Sequence, residues 1–443
     1  MNHSPYQRLG RWRAGIAVWF AFVSIIFSPT HASALLYRTP EGTLKDNCVI
    51  YNDGTYHLFA MYRRELRNRD QDQWRGVWSA TSTDGVHWKD VGPVINDAPF
   101  GIYAMRVWKV GDTFLMNHGS FTGEAQDVLK LWESNDLVHW TYLGEECDIR
   151  RPDGQRIDHM DVFPETEGGK TVYYGYAVGG MLRSEDGIKW TWLGDVPLTD
   201  ALDIRVVQEP GGCQRIGDLY YLLMGGFFPG NYQYNVGTYV SDKPTGPFRP
   251  DYPALRLNGY SGRNVYALWA GYCRKPGELL LTNYILDPYA DFWWHAPLKT
   301  AVIDGAKHLR MGYWKGNEAL KGKELPCDIA HVQSVNGSAN ASAESVTLAA
   351  APLPQIRWIT PGEPNRSLAF LEAPLPTQKG LVVEGTIQIK PLHGLFFPAV
   401  GVCLERPNQE ATAILFESWG QTEIGTLHST DTIRFDSEDI TGT

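Results

Sequence analysis

Three carboxylates stand at one distance from a turn signal: Asp46, Asp161 and Glu209 each lie eight residues before a glycine, Gly54, Gly169 and Gly217, in a strand-turn-strand pattern. Two carboxyl groups flanking a glycosidic bond can break it, one giving a proton to the leaving oxygen and the other attacking or activating water. A third holds the donor in place or tunes its proton affinity, because like charges close together cannot all ionise. The trio predicts glycoside cleavage, provided the fold brings the three together.

The local sequence gives each acid a setting. Asp46 directly precedes the apolar run of Cys48 to Tyr51, which places it on a pocket rim as nucleophile or base, or as a strand-end cap. Asp161 matches the offset, but Asp158 stands three residues earlier in Arg156-Ile-Asp-His-Met-Asp-Val-Phe163. Register read from sequence carries a residue or two of slack, so either acid can face the well, the other bonding loop backbone. Asp158 is counted among the substrate contacts. Glu209, between Val206-Val207 and Pro210-Gly211-Gly212, is expected beside irregular backbone, where burial would raise its pKa as a proton donor requires. Eight residues before Gly111 and Gly277 stand Tyr103 and Trp269, stacking walls for a sugar ring or ordinary core. Arg106, His159 and Arg263 lie near the same strands as candidate substrate contacts, as does His118.

These residues need a scaffold that repeats. Ser82-Thr-Asp-Gly-Val-His-Trp88 recurs as Ser134-Asn-Asp-Leu-Val-His-Trp140 and Ser184-Glu-Asp-Gly-Ile-Lys-Trp190, with a degraded copy ending at Phe248; the final aromatics are 52, 50 and 58 residues apart. A turn followed by an aromatic-rich strand appears five times, at Asp53-Gly54, Gly111-Asp112, Gly168-Gly169, Gly217-Asp218 and Pro276-Gly277. Such a period predicts an all-β, five-bladed β-propeller rather than a string of small modules. After about residue 310, strands expected at Leu381 to Ile389, Gly401 to Glu405 and Ala413 to Glu417 suggest a smaller β-sandwich, short or incomplete by its strand count. The expected division is residues 1–34 as a signal peptide, 35–312 as a catalytic propeller, 313–335 as a linker and 336–443 as the C-terminal sandwich.

Composition narrows the class. Arg8, Arg11 and Arg13, the apolar run Ala14 to Phe27, and Ala32-Ser33-Ala34 read as an export signal with a cleavage site. The run is shorter than the roughly 20 residues that span a bilayer. A secreted or periplasmic protein, with no membrane attachment after cleavage, is expected. A net charge of −10 argues against nucleic acid as a partner. The 16 Trp and 22 Tyr suit sugar stacking, although propeller packing uses the same residues. Six cysteines without CxxC spacing exclude a usual zinc site, and Cys48, Cys213 and Cys273 fall on expected inner strands as buried thiols or disulfide partners. No dinucleotide, Walker, HExxH or Gly-x-Ser-x-Gly motif occurs, so neither cofactor nor metal is expected. The expected partner is an oligo- or polysaccharide.

With an acid at the start of blade one, an Asp in blade three and a Glu in blade four, residues 36 to 310 resemble the five-bladed glycoside hydrolases of families 32, 43, 68 and 117. A following β-sandwich is most similar to family 32, the fructan and sucrose hydrolases. The resemblance implies Asp46 as nucleophile or base, Asp161 as transition-state stabiliser or pKa modulator, and Glu209 as general acid. It implies a furanoside substrate. The chain departs from family 32 at Lys45-Asp46-Asn47-Cys48, where Asn-Asp-Pro-Asn is usual. It departs again at Ile157-Asp158-His159 and Met160-Asp161-Val162, for Arg-Asp-Pro, and at Glu209-Pro210, for Glu-Cys. No carboxylate is lost.

Overall fold

The computed structural model describes residues 36–64, 74–122, 125–199, 209–227, 234–252, 254–259, 266–287 and 292–325, then 329–335, 337–342, 345–350, 366–371, 382–385, 387–388, 399–405, 411–417, 422–427 and 435–439. The segment expected to be an export signal and Arg263 lie outside these residues.

Five antiparallel sheets follow in chain order. Blade one is β1 (Thr43–Asn52), β2 (Thr55–Arg63), β3 (Gly76–Ser82) and β4 (Lys89–Ile95). Blade two is β5 (Tyr103–Val110), β6 (Thr113–Thr122), β7 (Ala125–Ser134) and β8 (Thr141–Tyr142). Blade three is β9 (Met160–Glu167), β10 (Lys170–Ala177), β11 (Gly180–Ser184) and β12 (Thr191–Gly194). Blade four is β13 (Glu209–Ile216), β14 (Leu219–Phe227), β15 (Tyr234–Ser241) and β16 (Arg249–Pro250), with β17 (Arg256–Gly259) also on β15. Blade five is β18 (Tyr266–Lys275), β19 (Glu278–Asp287), β21 (Lys299–Ile303) and β22 (Leu309–Tyr313), with β20 (Phe292–His295) also on β19. All five expected turns join the first two strands of their blades. The inner strands touch in a closed ring, β1 to β5 to β9 to β13 to β18 and back to β1.

A strand sends alternate side chains to opposite faces, and in a propeller both faces meet a neighbouring blade. On β6, Phe114 and Met116 enter the core shared with blade one, while Leu115 enters the core shared with blade three. Five such seams hold the ring. Cys48, Cys213 and Cys273 are free thiols buried in three of them, and burial pushes each thiol up to about 12, which leaves it unreactive.

The recurring phrase is a hydrogen-bonded turn with an anchor. Asp84 Oδ1 accepts from the backbone N–H groups of Val86 and His87 at 2.9 and 2.8 Å, and Ser82 Oγ accepts from Gly85 at 2.8 Å. Asp136 with Ser134, and Asp186 with Ser184, repeat the pattern. The closing Trp reaches back to the seam with the preceding blade: Trp140 stands edge-on to Phe59 and Trp190 to Trp108. Much of the aromatic excess is therefore packing.

Beyond the ring, β23 (Ile329–Val335) pairs β26 (Arg366–Leu371), β24 (Gly337–Ala341) pairs β25 (Val346–Ala350), and β27 (Ala399–Glu405), β28 (Ala411–Glu417), β29 (Thr422–Leu427) and β30 (Phe435–Asp439) form a four-stranded sheet. The strands expected around Gly401 and Ala413 are there. The described residues of the one expected at Leu381 to Ile389 are not strand, and Val382 and Val383 are exposed, so their alternation has no face to bury. Instead β24, rich in Ser, Asn and Ala, pairs with β25, whose β-branched Val346 and Thr347 favour extended backbone.

The ring closes where the chain returns to its start. Tyr37 and His295 exchange two backbone hydrogen bonds, at 3.1 and 2.8 Å. Trp314, 3% exposed, stands edge-on to Tyr56 and donates to Glu278 Oε1 at 2.9 Å. Gly85, at φ 75°, gives that indole room: a Cβ there would come within 2.6 Å of it. Trp314→Ala is expected to lower stability by about 3–5 kcal/mol in urea unfolding. A loss below about 1 kcal/mol would mean that Trp314 does not lock the ring.

Candidate active site

Four of the five inner strands begin irregularly. Register shifts fall between Lys45 and Cys48 in β1, Tyr103 and Arg106 in β5, Pro210 and Gly212 in β13, and Leu268 and Ala270 in β18. A bulge bends its strand and re-aims the residues it carries. Asp46, inside the first, holds φ 48°, and Ala104, in the second, φ 46°, left-handed values uncommon for residues with a Cβ. Along the second strands Asp161 pairs Tyr176 and Glu209 pairs Gly225, each the seventh residue of its strand, while the Asp46 bulge lies opposite Ala60, the sixth. The three acids thus share a level within one rung.

Asp46, 5% exposed, accepts from Tyr284 Oη at 2.7 Å across the closing seam, and Lys45 Nζ lies 3.7 Å from its other oxygen. Beside it, the carbonyl of Asn47 accepts from Arg106 Nη1 at 3.4 Å, so Arg106 ties blade two to the Asp46 bulge.

Asp158 and Glu209 share one cation. Arg156 Nη2 lies 2.9 Å from Asp158 Oδ2 and 3.6 Å from Glu209 Oε1. Burial alone would raise the Asp158 pKa, but the hydrogen bond and charge of His159, then Arg156, outweigh it and hold the group down at about 2. The backbone N–H of His159 donates to Asp158 at 2.7 Å. The His159 ring is fully buried, with Nε2 3.0 Å from the Pro210 carbonyl, and so joins the entrances of blades three and four.

Asp161 has a different neighbourhood. Its Oδ2 accepts from Arg274 Nη2 of blade five at 3.1 Å and from the Cys213 backbone of blade four at 3.3 Å. Gly212 allows this approach, since a Cβ there would lie 2.9 Å from that oxygen. A Cβ on Gly271 would likewise meet the Gly211 carbonyl at 3.3 Å and Arg106 at 3.8 Å, so blades two, four and five come within contact at the axis. The geometry therefore groups Asp158 with Glu209 and binds Asp161 into an inter-blade ion pair.

The remaining expected contacts divide. Tyr103, partly exposed, packs edge-on against Phe121 with centroids 5.0 Å apart. Trp269 occupies the β18 bulge by its backbone. His118 is fully buried and accepts from Trp132 Nε1 at 3.0 Å, a core role. Arg156, Arg274 and Tyr284 were not singled out in the sequence. Arg156, two residues before Asp158, carried the clearest signal; Arg274 and Tyr284 act across blade boundaries that no local pattern reveals.

No protein-family model matches the chain. A levanbiose-producing levanase of Bacillus subtilis (strain 168) is 28% identical over 109 residues, 20% of this chain and 20% of the levanase, so the match spans about a fifth of that relative's length. Among solved structures, a family 32 β-fructofuranosidase of Bombyx mori is similar with a TM-score of 0.54 at 13% identity, over 92% of this chain and 90% of its own. An exo-1,5-α-L-arabinanase from a bovine ruminal metagenomic library is similar over 61% of this chain and 97% of its own, with a TM-score of 0.47 and 14% identity. The chain has the five-bladed propeller fold of the Bombyx mori protein.

Asp158 links the site to acid stability. Its folded pKa, about 2, lies below the ordinary aspartate value of about 3.9, so folding favours the charged form. That stabilisation, about 2–3 kcal/mol, is complete above the unfolded value and drains away as pH falls through about 2. Between pH 5 and 2, the wild type should lose more unfolding free energy than Asp158→Asn. Parallel stability curves would refute the assignment.

Proposed function

We propose that the protein is an exported glycoside hydrolase that cleaves a furanoside, such as a fructan, a sucrose-like sugar or an arabinoside, with Asp46 and Glu209 as its two working carboxylates. Residues 35–312 would supply the catalytic propeller and 336–443 an accessory β-domain. Asp46, fixed by the hydrogen bond from Tyr284 Oη, acts as nucleophile or base. Glu209, 20% exposed in its side chain, is the proton donor. Asp158 is the third carboxylate, in preference to Asp161: its fixed charge beside Glu209 favours a proton there, while Arg156, nearer to Asp158, is largely engaged by it. Asp161 braces the axis through Arg274.

One observation carries this reading: the acids sit at one level of a closed ring in unlike surroundings, Asp46 bonded by a tyrosine and Glu209 beside a charge-paired aspartate. Unlike surroundings are how two carboxylates take opposite roles at one pH. The fold likeness to a β-fructofuranosidase and the short levanase match support a furanoside over other sugars.

On a furanoside panel, Glu209→Gln should lose about 10²- to 10⁴-fold in kcat while sugar binding, followed by calorimetry, persists. A wild type that binds these sugars and cleaves none would be a carbohydrate-binding propeller. A second expectation concerns pH. Asp158→Asn removes the neighbouring charge and leaves Arg156 to Glu209, so the alkaline limb of kcat/KM should move to lower pH. An unmoved limb, with Asp161→Asn moving it instead, would exchange the roles of the two aspartates.

A further inference from the structure

His295 closes β20 at the seam between the last and first blades and is 2% exposed. Its ring stands edge-on to Trp88, centroids 5.1 Å apart, and its Nδ1 lies 3.0 Å from Asn47 Nδ2. Thr282 Oγ1 donates to the Asn47 amide oxygen at 3.4 Å, so the amide NH₂ faces the imidazole. An amide nitrogen only donates; Nδ1 must therefore accept, and the single proton of the neutral ring sits on Nε2. Burial, helped by the Lys299 charge, pulls the His295 pKa down to about 3, so the ring keeps this tautomer at ordinary pH.

That Nε2–H is buried and has no partner among the described residues. Asn317 Oδ1 is in the same position: its NH₂ donates to the Leu298 carbonyl at 2.9 Å, while the oxygen accepts from no group among the described residues. Both side chains line one small cavity of about 10 Å³, with Tyr37, Gly85 and Trp88 among its walls. A lone donor and a lone acceptor on two residues that line a pocket with room for one solvent molecule is the arrangement that internal water satisfies. The other end of the chain reaches the proposed catalytic centre. Asn47 belongs to the two-residue bulge that carries Asp46 at φ 48°, a left-handed backbone whose cost its surroundings must offset.

We propose that this cavity binds one ordered water, accepting from His295 Nε2–H and donating to Asn317 Oδ1, and that the water, His295 and Asn47 form a positioning chain holding the Asp46 bulge. The positioning half rests on Asp46 being a working carboxylate. None of the three touches the substrate. They act through the backbone of Asn47, whose carbonyl accepts from Arg106.

A crystal structure of the wild type tests the water directly: one solvent peak within hydrogen-bond reach of both Nε2 and Oδ1 is expected, and an unfilled cavity would overturn the proposal. His295→Phe keeps the ring volume and removes both nitrogens. In its structure the Asp46–Tyr284 bond should break or lengthen, and kcat should fall about 10²-fold, the cost of a roughly 1 Å misplacement, with KM nearly unchanged. Asn47→Ala should lose as much, and the double variant no more than either, because the two act as one unit. Additive losses, or an unmoved Asp46 with wild-type kcat, would overturn the positioning role. A wild type inactive on every sugar, whose bulge still shifts in His295→Phe, would sink the hydrolase reading and leave the positioning chain standing. Should His295→Phe fail to fold, Asn47→Ala alone carries the structural and kinetic comparison.

Discussion

Closure of the ring is the constraint on which the rest depends. Four of the five seams join blades that follow one another along the chain, but the fifth joins Tyr37 and the β3–β4 turn to His295 and Trp314. Open at that seam, the molecule would present two sheet faces to solvent, and Asp46 would lose the tyrosine that crosses to it. The closing contacts are dense: two backbone bonds, an indole fitted over a glycine, and His295 edge-on to Trp88. Loop-closure entropy grows slowly with length, so a seam that joins distant residues costs only modestly more than its neighbours and can be offset by this packing.

Two-sided burial explains the sequence of the middle strands and the irregularity of the inner ones. A strand such as β14 has no solvent face and so reads as a nearly continuous apolar run. Towards the axis, the inner strands crowd around a narrow space where regular pleating would send side chains into one another. Bulges, left-handed residues, and glycines such as Gly212 and Gly271 resolve that crowding, and the bulge in β1 carries Asp46.

Much of this was legible in the chain, and what was hidden has a physical cause. The repeated phrase announced the blades because its Ser, Asp and Trp each meet a local need, two backbone turns and a seam anchor. The equal offset of Asp46, Asp161 and Glu209 was a coarser guide. Gly217 is the first residue of its turn, whereas Gly54 and Gly169 are the second, so Glu209 stands one residue farther from its turn than the other two. The bulge in β13 takes up that residue and restores the level. No periodicity foretells such compensation. Nor could the offset show that Arg156 would join Asp158 to Glu209, or that Arg274 would cross from blade five to Asp161, since both contacts depend on how separate sheets are set around the axis.

The axis also shows why stability and chemistry draw on the same residues here. An inner strand has no further strand beside it on the axial side, so its bulged backbone leaves polar groups that only neighbouring blades can satisfy. Asn117 of blade two both donates to the Met160 carbonyl and accepts from its N–H, at 2.7 and 2.8 Å; His159 meets the Pro210 carbonyl; Asp161 meets the Cys213 N–H. Each of these side chains is buried, and each partner would be costly to leave unbonded. Polar groups held this firmly keep one orientation, with no solvent to compete for them. The same fixing confines change: a substitution at Asp161 or His159 disturbs two blades at once, whereas Glu209 and Arg156 are more open to solvent and can change without unseating the ring.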